Sequence, residues 1–268
     1  MVCFQQHSYF CFLYLNRKKF DDIFPKLAKE FDLNFIPFLL KKVALNPKLN
    51  QSDGIHANYK GVKMILIACN TVSASAKEDI IRKAGSIPVL DVISAVFFFI
   101  LVWGFWSTPT VGVIGTIATV QSKAYEVALI QQLGSVKVLQ QACPLLVPLA
   151  EEGWIEHDVA RLTIKEYVQA FDHYHLDALI LGCTHYPLFT NLIADVLTSK
   201  KTRIIDSAES IAASAKQYLE DHGGCNTQGG SFNCFVSDRP KRFQELAERF
   251  LGQPLTKIDI VRDLDNWL

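Results

Sequence analysis

The sequence predicts an α/β protein of two parallel-sheet lobes with the active site between them. Three observations predict it. From Lys63 onward, short uncharged apolar runs alternate with segments of helical periodicity, the grammar of βαβ units and parallel sheets. With Leu33–Leu40 included, the strand-like runs exceed eight, which favours two sheets over one. Two of these runs end in matched polar clusters, Cys69-Asn70-Thr71 and Cys183-Thr184-His185. Open α/β sheets bind ligands at the carboxyl ends of their strands, so the two clusters read as half-sites facing one ligand.

The elements follow in order. Residues 18 to 31 place Phe20, Ile23, Phe24, Leu27 and Phe31 on one face of an amphipathic helix. Leu33–Leu40 reads as a strand interrupted by Pro37, at an edge or a bend, with the character to complete the sheet containing Lys63–Ala68. In the polar loop from Asn46 to Lys60, Asp53 stands three residues before His56. That spacing lets an acid orient an imidazole base, although a solvated loop accounts for it more simply. Strands are then expected at Lys63–Ala68, Pro88–Val92, Val111–Gly115, Lys137–Ala142, Asp177–Gly182, Thr202–Asp206, Phe232–Ser237 and Lys257–Val261. Helices are expected at Ser73–Ala84, Val120–Leu133, Glu156–Phe171, Asn191–Leu197, Ala208–His222 and Arg239–Phe250. The uncharged run Val92–Trp106 falls short of the roughly 20 residues of a spanning helix. It reads as a buried strand or helix between lobes, or as a membrane-associated segment.

Composition narrows the function. Across 268 residues, Lys+Arg and Asp+Glu are both 27, so no basic excess points to nucleic acid or an anionic membrane. The seven cysteines are odd in number and include no C-x-x-C, which argues against a zinc site, a redox motif or a disulfide framework. No metal and no membrane partner is expected. The N-terminus lacks the charged-then-apolar order of a signal peptide, and the reduced thiols suit a cytoplasmic protein.

A single cysteine is most often a small buried hydrophobe, the reading given to Cys3, Cys11, Cys143, Cys225 and Cys234. Cys69 and Cys183 differ in context, since each ends an apolar strand and precedes a helix. Positive potential at a helix N-terminus favours the thiolate. Around them, Asn70, Thr71, Thr116, Thr119, Thr184 and His185 supply hydrogen-bond donors suited to carboxylates. A disulfide-exchange pair is one reading. Two thiols on opposite faces of an α-carbon also suit racemisation, one taking a proton and the other returning one.

The segments Ala68-Cys-Asn-Thr71 and Leu181-Gly-Cys-Thr-His-Tyr-Pro-Leu188 resemble the two signature motifs of bacterial glutamate racemases, in the aspartate/glutamate racemase superfamily. Val111–Ser122, Val147–Glu151, Ile205–Ser207 and Phe235–Leu251 agree, so the resemblance covers about residues 63–262. It implies that Cys69 and Cys183 are the acid/base pair and that Glu151 and His185 assist at Cys183. Asn70, Thr71, Thr116, Thr119 and Thr184 would hold the carboxylates and amine of glutamate. It further implies no cofactor, D-glutamate production for peptidoglycan, and a homodimer as an open alternative. By the same resemblance, residues 63–97 and 208–268 form the first lobe and residues 98–207 the second.

Two departures stand out. The family's N-terminal Asp-Ser-Gly motif is absent, and Ile93-Ser94 stands where a Glu-Pro turn is usual. In its place, residues about 18–63 resemble the C-terminal end of SGNH (GDSL-type) esterases, with Asp53 and His56 in the D-x-x-H positions. Residues 1–62 are thus expected to be an esterase-like fragment, although the Gly-Asp-Ser nucleophile motif of those enzymes is also missing. The alternatives to racemisation are a non-catalytic glutamate-binding remnant of a gene fusion and, further off, an esterase.

Overall fold

A computed structural model describes residues 64–102, 108–197, 199, 201–222, 234–236, 240–251, 254–255 and 258–260. The described chain begins with strand β1 (Ile65–Ile67), helices α1 (Asn70–Ser75) and α2 (Lys77–Ala84), strand β2 (Val89–Asp91) and helix α3 (Val92–Val102). Strand β3 (Thr110–Gly115) leads into α4 (Ile117–Gln121) and α5 (Ala124–Leu133), then β4 (Lys137–Ala142), α6 (Leu146–Glu151) and α7 (Asp158–Val168). Next come β5 (Ala178–Gly182), α8 (Thr190–Val196), β6 (Arg203–Asp206) and α9 (Ser207–Asp221). Strand β7 (Cys234–Val236), helix α10 (Pro240–Leu251) and strand β8 (Ile258–Ile260) complete it.

All strand pairings are parallel among the described residues. β1 pairs with β2, β7 pairs with β8, and a four-stranded sheet has the order β4-β3-β5-β6. Parallel neighbours need crossover connections, and the helices supply them, as the alternating sequence pattern predicts.

β5 shows why the apolar runs are strands. All five of its residues are buried. Ala178 and Ile180 enter one core with Val111 and Val113 of β3, Ile205 of β6, and Ile211 and Ala215 of α9. Leu179 and Leu181 face the opposite way, into a second core with Ile164, Phe171, Phe189 and Ile193. A strand covered on both faces has no polar side to present, hence its continuous apolar sequence. The first core also takes in Leu66 and Ala68 around β1, and Val92, Val96 and Ile100 of α3. One apolar mass therefore joins the small β1–β2 sheet to the larger one.

Over Val92–Val102 the apolar run is helical, with Val92, Ile93, Ala95, Val96, Phe97 and Ile100 buried, as the buried-helix reading expects; residues 103–106 lie outside the described residues. Asp91 starts the helix: its Oδ1 accepts from the N–H of Ile93 (3.0 Å) and of Ser94 (3.1 Å). The same carboxylate, 2 % exposed, pairs through Oδ2 with Lys77 Nζ at 2.6 Å, and that ammonium also donates to Ser94 Oγ at 2.7 Å. No helix among the described residues is long and apolar enough to cross a membrane. Replacing Asp91 by Ala strips two N–H groups of their cap and Lys77 of its partner. It should cost about 2–3 kcal/mol, read as a lowered urea midpoint with unchanged slope. An unchanged midpoint would show that α3 needs no cap.

Local differences from the expected elements trace to backbone breaks. The helix expected over Ser73–Ala84 begins at Asn70, capped by Cys69, and breaks at Ala76. That expected over Val120–Leu133 divides into α4 and α5 around Lys123, whose φ of 55° lies in the left-handed region. α6 was not expected from the sequence. The expected helix at residues 18–31, the strand Leu33–Leu40, and Asp53 and His56 lie outside the described residues.

Candidate active site

The first half-site grows from the end of β1. Cys69 is the N-cap of α1: its backbone is extended and its Sγ accepts from Val72 N–H at 3.5 Å. Asn70 and Thr71 open the helix behind it. Asn70 is 2 % exposed, with its amide bonded on both ends, accepting from Tyr125 Oη at 2.5 Å and donating to Ser207 Oγ at 3.4 Å. Thr71 turns toward the second sheet.

There it meets the loop after β3. Thr116 is the N-cap of α4 and accepts from Thr119 N–H at 3.2 Å. The hydroxyls of Thr71, Thr116 and Thr119 form a triangle with edges of 3.0, 3.3 and 2.9 Å. One vertex comes from each side of the junction between sheets, plus one from inside α4. Thr119 is fully buried, whereas Thr71 and Thr116 are half-buried.

The second half-site follows β5. Cys183 and Thr184 are each 5 % exposed and His185 2 %. Cys183 Sγ lies 3.9 Å from His185 Nδ1, and His185 Nε2 lies 3.8 Å from Glu151 Oε1 at the end of α6. Tyr186 clamps this turn by donating its hydroxyl to the carbonyls of Gly115 (3.0 Å) and Cys143 (2.7 Å). Gly182 lets β5 approach β3 closely, because a Cβ there would sit 2.8 Å from the Ile114 carbonyl oxygen.

Burial dominates the electrostatics. It pushes the Cys183 thiol up to about 12; the backbone amide of His185 is the largest opposing influence, and the nearby Cys69 charge raises the value further. Thr184 hydroxyl and the Tyr186 amide also favour the thiolate. Burial also lowers His185 to about 4, so at neutral pH the imidazole is uncharged and able to accept a proton.

The structure thus brings together Cys69, Thr71, Thr116 and Thr119 on one side of the junction, and Cys183, Thr184, His185 and Glu151 in a connected group on the other. No group of three or more His, Cys, Asp and Glu side chains suited to a metal occurs among the described residues. Sequence reasoning assigned no role to Tyr125, Tyr186 or Ser207. Ser207 and Tyr186 stood inside quoted motifs. Tyr125 carried no signal of its own.

Asp206, which caps α9 by accepting from Ala208 N–H at 2.7 Å, is raised to about 7 by burial. Its Oδ2 is buried and has no hydrogen-bond partner among the described residues. Between about pH 4 and pH 7 the folded chain holds a proton here that the unfolded chain has lost, so this group's contribution weakens as pH rises. Asp206→Asn keeps the capping oxygen and removes the charge. It should stabilise the protein by about 1–2 kcal/mol at pH 8 and by little at pH 5, read by thermal melts at both. Equal effects at the two pH values would refute the assignment.

Against this geometry the family can be read. The sequence profile described as Asp/Glu/Hydantoin racemase matches residues 42–215. The chain belongs to this racemase family. Among related racemases, the glutamate racemase of Chlorobaculum parvum is 41 % identical over 201 residues, 74 % of this chain and 73 % of that one. The glutamate racemase of Chlorobium phaeobacteroides is 41 % identical over 228 residues, 84 % of this chain and 83 % of that one. Among solved racemases, the Francisella tularensis glutamate racemase in complex with D-glutamate superposes with a TM-score of 0.68 at 35 % identity, covering 75 % of this chain and 73 % of that chain. The Bacillus anthracis glutamate racemase gives 0.69 at 31 %, covering 75 % and 74 %. The two-lobe parallel α/β architecture is that of this family. The esterase resemblance of residues 18–63 finds no support, and the racemase match itself runs from residue 42 through Asp53 and His56.

Proposed function

We propose that the chain is a cofactor-independent glutamate racemase in which Cys69 and Cys183 exchange the roles of base and acid. In one direction a thiolate removes the α-proton, the Cα–H pair becomes a carbanion, and the opposite thiol delivers its proton to the other face. The two sulfurs end with exchanged protonation states, so the next turnover in the same direction requires proton exchange with solvent or a neighbouring base. His185, 3.9 Å from Cys183 and 3.8 Å from Glu151, lies on the path of that exchange, and because burial disfavours its imidazolium it serves as a neutral hydrogen-bond partner of the Cys183 sulfur. Thr71, Thr116 and Thr119 with Thr184 present hydroxyls to the carboxylates of glutamate, and Asn70 joins them as a substrate-binding residue through the amide hydrogen that Ser207 does not take.

The observation that carries this reading is that the two strand-end cysteine motifs are hydrogen-bonded into one site, Thr71 beside Cys69 to Thr116 and Thr119 after β3, and Asn70 through Ser207 to the Leu181 carbonyl just before Cys183. The lobes are assigned as residues 63–97 with 208–268, and residues 98–207, and Cys69 and Cys183 fall one in each. The product, D-glutamate, would serve peptidoglycan synthesis in the cytoplasm. A homodimer is a further part of the proposal. The deciding experiment adds L-glutamate in D2O and follows α-proton exchange together with loss of optical rotation. Both are expected. Glutamate-dependent thermal stabilisation without exchange at high protein concentration would replace the enzyme by a binding protein.

A further inference from the structure

The molecule contains a buried polar chain that the two-thiol chemistry does not use. Tyr125 on α5 is 0 % exposed, Ser207 at the start of α9 is 1 %, and Asn70 is 2 %. Tyr125 Oη donates to Asn70 Oδ1 at 2.5 Å, Asn70 Nδ2 donates to Ser207 Oγ at 3.4 Å, and Ser207 Oγ donates to the Leu181 carbonyl at 3.1 Å. The bonds run from the residue after Cys69 to the strand residue two before Cys183. They tie α1, α5, α9 and β5 into one unit. Apolar packing alone would cover this volume more cheaply, since each buried polar group must recover its desolvation through its partners. What hydrogen bonds add is direction.

We propose that Tyr125 and Ser207 are positioning residues that fix the Cys69 thiol against Cys183 through the amide of Asn70. Asn70 is the first residue of α1 and Cys69 its cap, so holding the amide holds the turn on which Sγ meets the Val72 N–H. Loosening the amide lets the helix start fray, and the thiolate loses that donor. The Cys183 side has a further anchor of its own, Tyr186 to the carbonyls of Gly115 and Cys143, so the larger effect falls on Cys69. The remaining titratable neighbours of the tyrosine are Asp91, already bound to Lys77, the thiol of Cys183, and Asp206, whose Oδ1 caps α9.

The inference rests on the racemase reading only for its kinetic arm. Full-length Tyr125→Phe and Ser207→Ala are compared with the parent in two measurements. In the first, iodoacetamide alkylation is followed across pH and resolved residue by residue by mass spectrometry. Alkylation of Cys69 should move to higher pH in both variants, while Cys143 stays where it was. In the second, kcat should fall about tenfold with a smaller change in KM, by the same factor in both directions, as the equilibrium constant of one requires of kcat/KM. A Cys69 profile that superimposes on the parent overturns the proposal, whatever happens to turnover. So does failure of both variants to fold, since that describes a merely structural role. A shifted Cys69 profile in a parent without racemase activity leaves the positioning role standing and removes the function instead.

Discussion

Cys183→Ser should lower racemisation by about 10³-fold or more in both directions while leaving the fold intact. The hydroxyl fits where the thiol sat, in a site 5 % exposed, but an alcohol is a far weaker acid and cannot form the anion that removes an α-proton. The opposing Cys69 is untouched. Proton abstraction from the enantiomer whose hydrogen faces Cys69 therefore continues, and solvent deuterium returns to the same face. The variant is expected to show one-sided α-proton exchange without inversion, read by proton NMR of D- and L-glutamate separately. Retained racemisation would remove Cys183 from the chemistry. Exchange of both enantiomers at parental rates would remove the two-base mechanism. The parent's pH profile provides a second view of the same site. An ordinary histidine would produce a break near pH 6.5, whereas burial has moved His185 down to about 4. As pH falls between these values the imidazole stays neutral, so no break from this residue is expected near 6.5.

Gly182→Ala should damage stability and turnover together. The added Cβ would stand 2.8 Å from the Ile114 carbonyl oxygen, 3.1 Å from a ring carbon of Tyr125 and 3.3 Å from Val113 Cγ1. A backbone oxygen in a paired strand cannot swing aside, so β5 must retreat from β3 at the point where Gly115 and Gly182 pair. Overpacking of this kind costs about 1–3 kcal/mol. The displacement falls on the residue before Cys183, and a shift of about 1 Å at a reacting group can cost on the order of 10²-fold in rate. Urea melts and the deuterium-exchange assay read the two effects. Parental values in both would mean that the strands separate here without consequence.

The fold was legible because its strands are covered on both faces. Leu179 and Leu181 serve one core and Ala178 and Ile180 the other, and such a strand must be apolar without interruption. The half-sites were legible for the same reason, as polar triplets placed against those runs. Helix limits were less so. The break at Ala76 and the left-handed Lys123 depend on capping by side chains whose partners a local window does not identify. The buried polar chain was illegible. Its bonds join positions 55 and 137 residues apart, and neither a tyrosine on a helix nor a serine after an aspartate announces such a partner. The apolar run showed the limit of composition, since its length argued against a spanning helix but only the Asp91 cap fixed it as a buried one.

The triangle of Thr71, Thr116 and Thr119 bears on how fast the protein lets go of what it has made. Three hydroxyls in a closed ring can each donate once and accept once, so the group is satisfied with nothing bound. In the proposed site an arriving carboxylate would have to open the ring and turn hydroxyl protons outward, and a departing one would let it close again. The ring would thus compete with the ligand for the same donors. That competition would weaken ground-state affinity for both enantiomers alike and shorten the residence of product, which would suit a catalyst whose substrate and product are mirror images and equally able to clog it.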